Sequence, residues 1–191
     1  MATVLRTPKF RVSFPCVFEP KAQAEGQTPK YSLVMIFDKE AQQTAEYKAL
    51  VAEISAVAKE KWPKGVPKNF KNPIKKAEEM VSAKDGSRYS GFEDDDTIGI
   101  RCQSAYPPGI VGRDKKPIGK DDKPGFYSGC FAMATVSPSA FDQSTNKGVT
   151  LYLNNIIKIS EGDSLSGRRE AAAEFADIEV EEISDADFGL D

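Results

Sequence analysis

Lys147-Gly148-Val149-Thr150-Leu151-Tyr152-Leu153-Asn154-Asn155-Ile156-Ile157-Lys158-Ile159 is the stretch that decides the fold class. Val149, Leu151 and Leu153 fall at period two and share one face of an extended chain, so Thr150, Tyr152 and Asn154 share the other. With the aliphatic set on a core, Tyr152 is presented outward. The same alternation recurs upstream: Phe10, Val12, Phe14, Cys16 and Phe18 repeat it within residues 9–18, where Pro15 marks an edge, a bulge or a break. Residues 31–37, 97–104, the short 110–113 and 126–136 read as further strands. The last of these joins residues 147–159 through a loop containing Pro138 and Asn146.

One long helix interrupts this pattern. Tyr47, Leu50, Val51, Ile54, Val57 and Ala58 recur at helical spacing, Asp38 stands where a cap is needed, and Pro63 closes the segment. Residues 63–96 read as mostly irregular, and a loop of that length in a compact domain marks function or mobility. The expected fold is therefore mainly β with one long helix, an OB-like, five- or six-stranded, partly open barrel with long loops. There is no internal repeat.

Composition narrows the chemistry. A chain of 191 residues suits one domain plus appendages. It contains no histidine, which removes Ser-His and Cys-His nucleophile pairs, His general bases and His-ligated metals. Cys16, Cys102 and Cys130 are odd in number and far apart, which argues for strand thiols rather than a disulfide framework or a zinc site. No apolar run approaches the roughly 18 residues of a membrane span, and the N-terminus has no signal-peptide pattern, so a cytoplasmic protein without membrane contact is expected. No catalytic residue, cofactor or metal is expected, and no motif points to an oligomeric state.

The net charge of −3 hides an asymmetry. Nine of the 29 acidic residues lie between Glu170 and Asp191, a stretch with no basic residue. Residues 1–169 are left with 26 basic and 20 acidic side chains, a net +6. The expected organisation is a basic body over 1–169 and a flexible acidic tail over 170–191. Such a tail is drawn to basic surface over about a Debye length, and a polyanion would compete with it. Its apolar residues favour a docking role, with Asp185, Asp187, Phe188, Leu190 and Asp191 as candidate partner contacts.

Binding a single strand takes cations for phosphates and aromatic faces for bases. The body carries both in the same segments. Lys30 abuts Tyr31; Trp62 and Phe70 sit among Lys64, Lys68 and Lys71; Tyr106 precedes Arg113, Lys115 and Lys116. Arg101, Tyr127, Lys147, Tyr152 and Asn154 complete the candidate contact set. Phe10, Phe14, Phe18, Phe131 and Met133 read as core. Glu93-Asp94-Asp95-Asp96 offers a competing reading, an Mg²⁺-dependent carboxylate nuclease using Asp94, Asp95 and Asp96. Consecutive carboxylates in a loop that leads into a strand rarely converge on one ion, which favours a solvated acidic loop. A structural or interaction protein, its basic patch meeting an acidic protein, is the other alternative.

Five motifs follow one another in order: Val17-Phe18-Glu19-Pro20, Pro29-Lys30-Tyr31-Ser32, Pro67-Lys68-Asn69-Phe70-Lys71-Asn72-Pro73, Phe126-Tyr127-Ser128-Gly129-Cys130, and Asn146-Lys147-Gly148-Val149 with Leu153-Asn154-Asn155-Ile156. Together they resemble a family of tailed-phage OB-fold single-stranded-DNA-binding proteins. The resemblance covers most of residues 9–169. It implies a non-catalytic accessory of replication or recombination that coats single strands and uses its acidic tail to contact replication or recombination proteins. Tails of this functional type often end at an aromatic residue, whereas here Phe188 is followed by Gly189-Leu190-Asp191.

Overall fold

The structure is a computed structural model that describes residues 3–166. The acidic tail expected over 170–191, with Asp185, Asp187, Phe188, Leu190 and Asp191, lies outside the described residues. The elements in chain order are β1 (Leu5–Arg6), β2 (Phe10–Lys21), β3 (Lys30–Phe37), α1 (Ala45–Lys61), β4 (Phe70–Lys71), β5 (Ile74–Lys76), β6 (Ile98–Ser104), β7 (Gly109–Val111), β8 (Phe131–Gln143) and β9 (Asn146–Ser160). Short 3₁₀ turns cover Ala41–Gln43 and Ala77–Glu79.

Five strands form a ring. β2 pairs antiparallel with β3, β3 with β6, β8 with β9, and β2 with β8, while β6 and β9 run parallel. Two seams are short: β6–β9 through Cys102↔Leu151 and Gln103↔Tyr152, and β2–β8 through Phe10↔Ala132 and Arg11↔Phe131. This is the partly open OB-like barrel expected from the alternation. Leu33, Met35, Ile100, Cys102, Leu151 and Leu153 point inward and are buried. α1 packs on β8, β1 and β9 with Tyr47, Leu50 and Ile54 turned to the core. Phe37 joins the two layers, edge-on to Phe10 at 5.9 Å and to Tyr47 at 5.2 Å. Each such fully buried side chain stabilises the fold by about 1.5–3 kcal/mol.

The local chemistry departs from the expectations in four places. Asp38 caps the 3₁₀ turn, its Oδ1 accepting from Ala41 N at 2.7 Å; the cap of α1 is Thr44, whose Oγ1 accepts from Tyr47 N at 3.2 Å. Pro138 lies within β8 opposite Leu151, not in a loop. From Ser137 onward β8 pairs only with β9, so a missing N–H is tolerated on its free edge. β8 begins at Phe131 rather than at 126 because residues 124–127 are tied to β9. Buried Lys158 donates to Pro124 O at 2.7 Å and Gly125 O at 2.6 Å, and pairs with Glu161 at 2.7 Å.

The fourth departure concerns the core. Phe10 and Val12 are buried as expected, but Phe14 is 47% exposed at φ +46°. A bulge between Ser13 and Cys16, beside Pro15, inverts the phase of β2, so Val17 rather than Cys16 reaches the core. Phe18, Phe131 and Met133 are half-buried. All three cysteines are free, and burial pushes the Cys102 thiol up to about 12.

Candidate nucleic-acid interface

The outward residues of β3 and β6 build one surface. On β3 they are Lys30, Ser32, Val34 and Ile36; on β6 they are Gly99, Arg101 and Gln103. Half of this surface is covered. Val34 and Ile36 pack with Ala77 and Phe92, and Met80, Tyr89 and Leu165 lean on the same cluster. Gly99 lies beneath this cover, where a Cβ would stand 2.9 Å from the Phe92 ring. The other half stays open as a groove of about 810 Å³.

Three segments wall the groove. The β2–β3 connection contributes Lys21, Gln23 and Gln27, the β4–β5 segment Phe70, Lys71 and Lys75, and the β8–β9 hairpin Phe141 and Asn146. β4 is held close by parallel pairing to β9 through Phe70↔Lys147 and Lys71↔Gly148. A side chain at Gly148 would meet the Lys71 carbonyl oxygen at 2.4 Å, so only glycine lets the two backbones approach this far.

Charge in the groove is one-sided. Lys21, Lys30, Lys71, Lys75 and Arg101 face a single carboxylate, Glu79. Glu79 is already engaged by Lys76 N at 2.9 Å and Lys75 Nζ at 3.0 Å, which hold its carboxyl below the ordinary range. Arg101 stands on the floor with neutral partners. Its Nη2 donates to Ser32 Oγ at 3.2 Å, and the Gln23 amide oxygen, turned toward the guanidinium, accepts from Nη2 at 2.6 Å and Nε at 3.1 Å. No carboxylate lies within ion-pair distance of it among the described residues. Arg101 remains open to solvent, yet the groove walls lower its pKa by desolvation. Beside it Gln103 donates to Thr150 Oγ1 at 3.2 Å.

The structure brings some expected residues together and separates others. Lys30, Phe70, Lys71 and Arg101 line the groove. Lys68 is exposed just outside it. Tyr152 is outward on β9 beside Gln103 and 47% exposed, as the alternation requires. Asn154 shares its side and donates to Ser137 Oγ at 3.1 Å. Tyr31 pairs with Ser104 at the strand end, and Tyr106, two residues further on, is 80% exposed. Lys147 is paired to Asp142 at 2.9 Å within the hairpin.

Other candidates lie elsewhere or are engaged. The ring and hydroxyl of Tyr127 are both occupied: Lys158 Nζ sits 5.0 Å from the ring centroid, and the hydroxyl has its one proton between Glu161 Oε2 at 2.8 Å and Gly162 O at 2.9 Å and accepts from Gly162 N. Trp62 meets Phe70 edge-on at 5.6 Å, so this pair joins the end of α1 to the groove wall. Arg113, Lys115 and Lys116 sit in the loop after β7, which pairs with the far end of β9. The Lys120–Glu19 ion pair ties that loop to the end of β2, where Lys21 enters the groove. Lys21, Gln23, Lys75, Gln103 and Thr150 were outside the sequence-derived set. The polar alternation of Arg101 and Gln103 with Ile100 and Cys102 was the available signal for Gln103.

The acidic stretch does not converge. Glu93 accepts from Gly91 N at 2.9 and 3.0 Å, Asp95 pairs with Arg88 at 2.6 Å, and Asp96 with Lys39 at 3.2 Å. Among the described residues no three acidic or cysteine side chains gather as metal ligands. The carboxylate-nuclease alternative is therefore not favoured. No helix there is long and apolar enough to cross a membrane.

Ring closure, strand order and an open cationic groove between the β2–β3 connection and the β8–β9 hairpin define an OB-type binding fold. The chain belongs to the phage family described as "Enterobacter phage Enc34, ssDNA-binding protein", whose profile matches residues 3–188. Among solved structures it is similar to the single-stranded DNA-binding protein of bacteriophage Enc34 in complex with ssDNA, at 16% identity and TM-score 0.69, covering 84% of this chain and 88% of that one. The C-terminally truncated form of that protein matches at 17% identity and TM-score 0.67, covering 84% and 87%. Gp2.5, a single-stranded DNA-binding protein encoded by bacteriophage T7, matches at 13% identity and TM-score 0.59, covering 96% and 97%. No curated protein matches.

Proposed function

We propose that this protein binds single-stranded DNA without sequence preference, coating and protecting exposed strands during phage replication and recombination in the host cytoplasm. Arg101 carries the reading. A guanidinium on the floor of an open groove, held by neutral side chains and with no carboxylate within ion-pair distance among the described residues, is poised for a phosphate. Lys21, Lys30 and Lys71 extend that potential along the walls. Tyr152 and, further along, Tyr106 offer exposed rings for stacking. Arg113, Lys115 and Lys116 extend the contact beyond the groove, along the loop tied to β2.

No catalytic step is assigned, since the protein would act by occupancy. The acidic tail of residues 170–191 competes with DNA for the basic surface and offers its end to replication or recombination proteins.

Titration of labelled single-stranded, duplex and RNA oligonucleotides across a salt series tests the reading. The expected result is tight single-strand binding, little base preference and a steep fall in affinity with salt. Absence of binding at low salt would overturn it and favour a protein-interaction role.

A further inference from the structure

Phe14 is the residue in the described fold that folding explains least. Its φ of +46° lies in the left-handed region, where a bulky side chain is an outlier and glycine or asparagine fits without strain. It also leaves 47% of itself in solvent. Both features cost stability, and the core gains nothing from them. The bulge before Cys16 throws the ring to the outer face of the barrel, where Tyr89 meets it edge-on with centroids 4.9 Å apart.

Register locates this pair. Ser13, next to Phe14, pairs with Val34, and Val34 pairs with Arg101. Val34 and Arg101 both line the groove. Ser13 therefore stands two strand spacings, about 10 Å, from the Arg101 backbone, and the bulge turns the ring of its neighbour Phe14 to the same outer face, against Tyr89. A strand whose phosphate met Arg101 would have a base within reach of the Phe14 ring.

We infer that Phe14, braced by Tyr89 of the cover, is a base-stacking platform on β2, on the outer face beyond the residues that line the groove. This rests on the single-strand reading of the groove and adds a contact to it. Arg101 takes the phosphate and Phe14 takes a base. Every base has a π-face, so the contact adds affinity without sequence preference.

Phe14→Gly and Phe14→Asn remove the ring while suiting the left-handed backbone. Both are expected to keep the wild-type Tm within a few degrees and to weaken binding of a thymidine oligonucleotide about 5- to 150-fold, the range for losing one stacked base. The dependence of log K on log salt should keep its slope, because no phosphate contact is lost. Phe14→Tyr should restore binding. On the unmodified protein, ultraviolet cross-linking of an oligonucleotide carrying 5-iododeoxyuridine should label the tryptic peptide of residues 12–21 at Phe14. Wild-type affinity in the Gly and Asn variants, a slope reduced as for a lost cation, or no label on that peptide would overturn the inference while leaving single-strand binding intact. Failure of the unmodified protein to bind would instead overturn the reading on which it rests.

Discussion

The outward face of β3 and β6 exists in two states within one molecule. Toward Ile36 it is apolar and covered: Val34 and Ile36 carry Ala77 and Phe92, and Gly99 makes room for the Phe92 ring. Toward Lys30 the same two strands present Arg101 and Gln103 with no cover, while Ser32 is buried and accepts from the guanidinium. Backbone pairing is continuous across the boundary, from Phe37↔Ile98 to Tyr31↔Ser104. The difference therefore lies in the side chains alone. A barrel wall facing apolar side chains is buried by its own connections, whereas one facing an unpaired guanidinium is left for a partner. Burying Arg101 beneath a loop would cost the desolvation of a charge with no counter-ion.

Removing the cover tests the first half most severely. Phe92→Ala should cost about 3–5 kcal/mol, read by denaturant unfolding, because the ring is fully buried. A loss below about 1 kcal/mol would mean that the 77–97 segment only rests on the sheet. The open half is tested by Arg101→Met. Stability should be kept, single-strand affinity should fall roughly tenfold or more, and the salt slope should become shallower by about 1. An unchanged slope would remove Arg101 from the phosphate path.

Deleting residues 170–191 probes whether the open half has an internal rival. Affinity for single strands should rise roughly three- to tenfold at low salt, with the gain fading as salt screens the tail. Unchanged or weaker binding would end the competition idea.

The smallest effect sits at the boundary itself. The Glu79 carboxyl is held below the ordinary 4.5, first by the Lys76 N–H and then by Lys75, against an opposing contribution from burial. A lowered folded value stabilises the protein fully above about pH 4.5 and is lost as pH falls through that lower value. Glu79→Gln should flatten this part of the acid-unfolding curve, with a change under about 1 kcal/mol because the pair is solvent-exposed. An identical acid profile would show that Glu79 does not anchor the edge of the cover.

Alternation made most of the barrel legible. Leu151 and Leu153 had to lie opposite Tyr152, and so they do. The helix face of Leu50 and Ile54 was equally plain from spacing. Phe14 was not, because a single bulge reverses every later residue of a strand; Pro15 signalled a break without giving its phase. Pro138 misled for the opposite reason, since its strand has a free edge that a local reading cannot see. The groove was half visible. Lys30, Phe70, Lys71 and Arg101 were candidates by type, while Lys21, Gln23 and Lys75 entered only because three separate connections meet there. Tyr127 was a candidate by type that Lys158, the Glu161 carboxylate and the Gly162 backbone occupy.

The sequence by itself determined the strand and helix periods, the absence of histidine chemistry and the split of charge at Glu170, because each is a property of order and composition along the chain. Only the tertiary structure decided which cations stand without a counter-ion, which aromatics remain free and which half of the β3–β6 face is covered. Those properties depend on distances between residues as far apart as Gln23, Arg101 and Thr150, and closing the ring of five strands sets them.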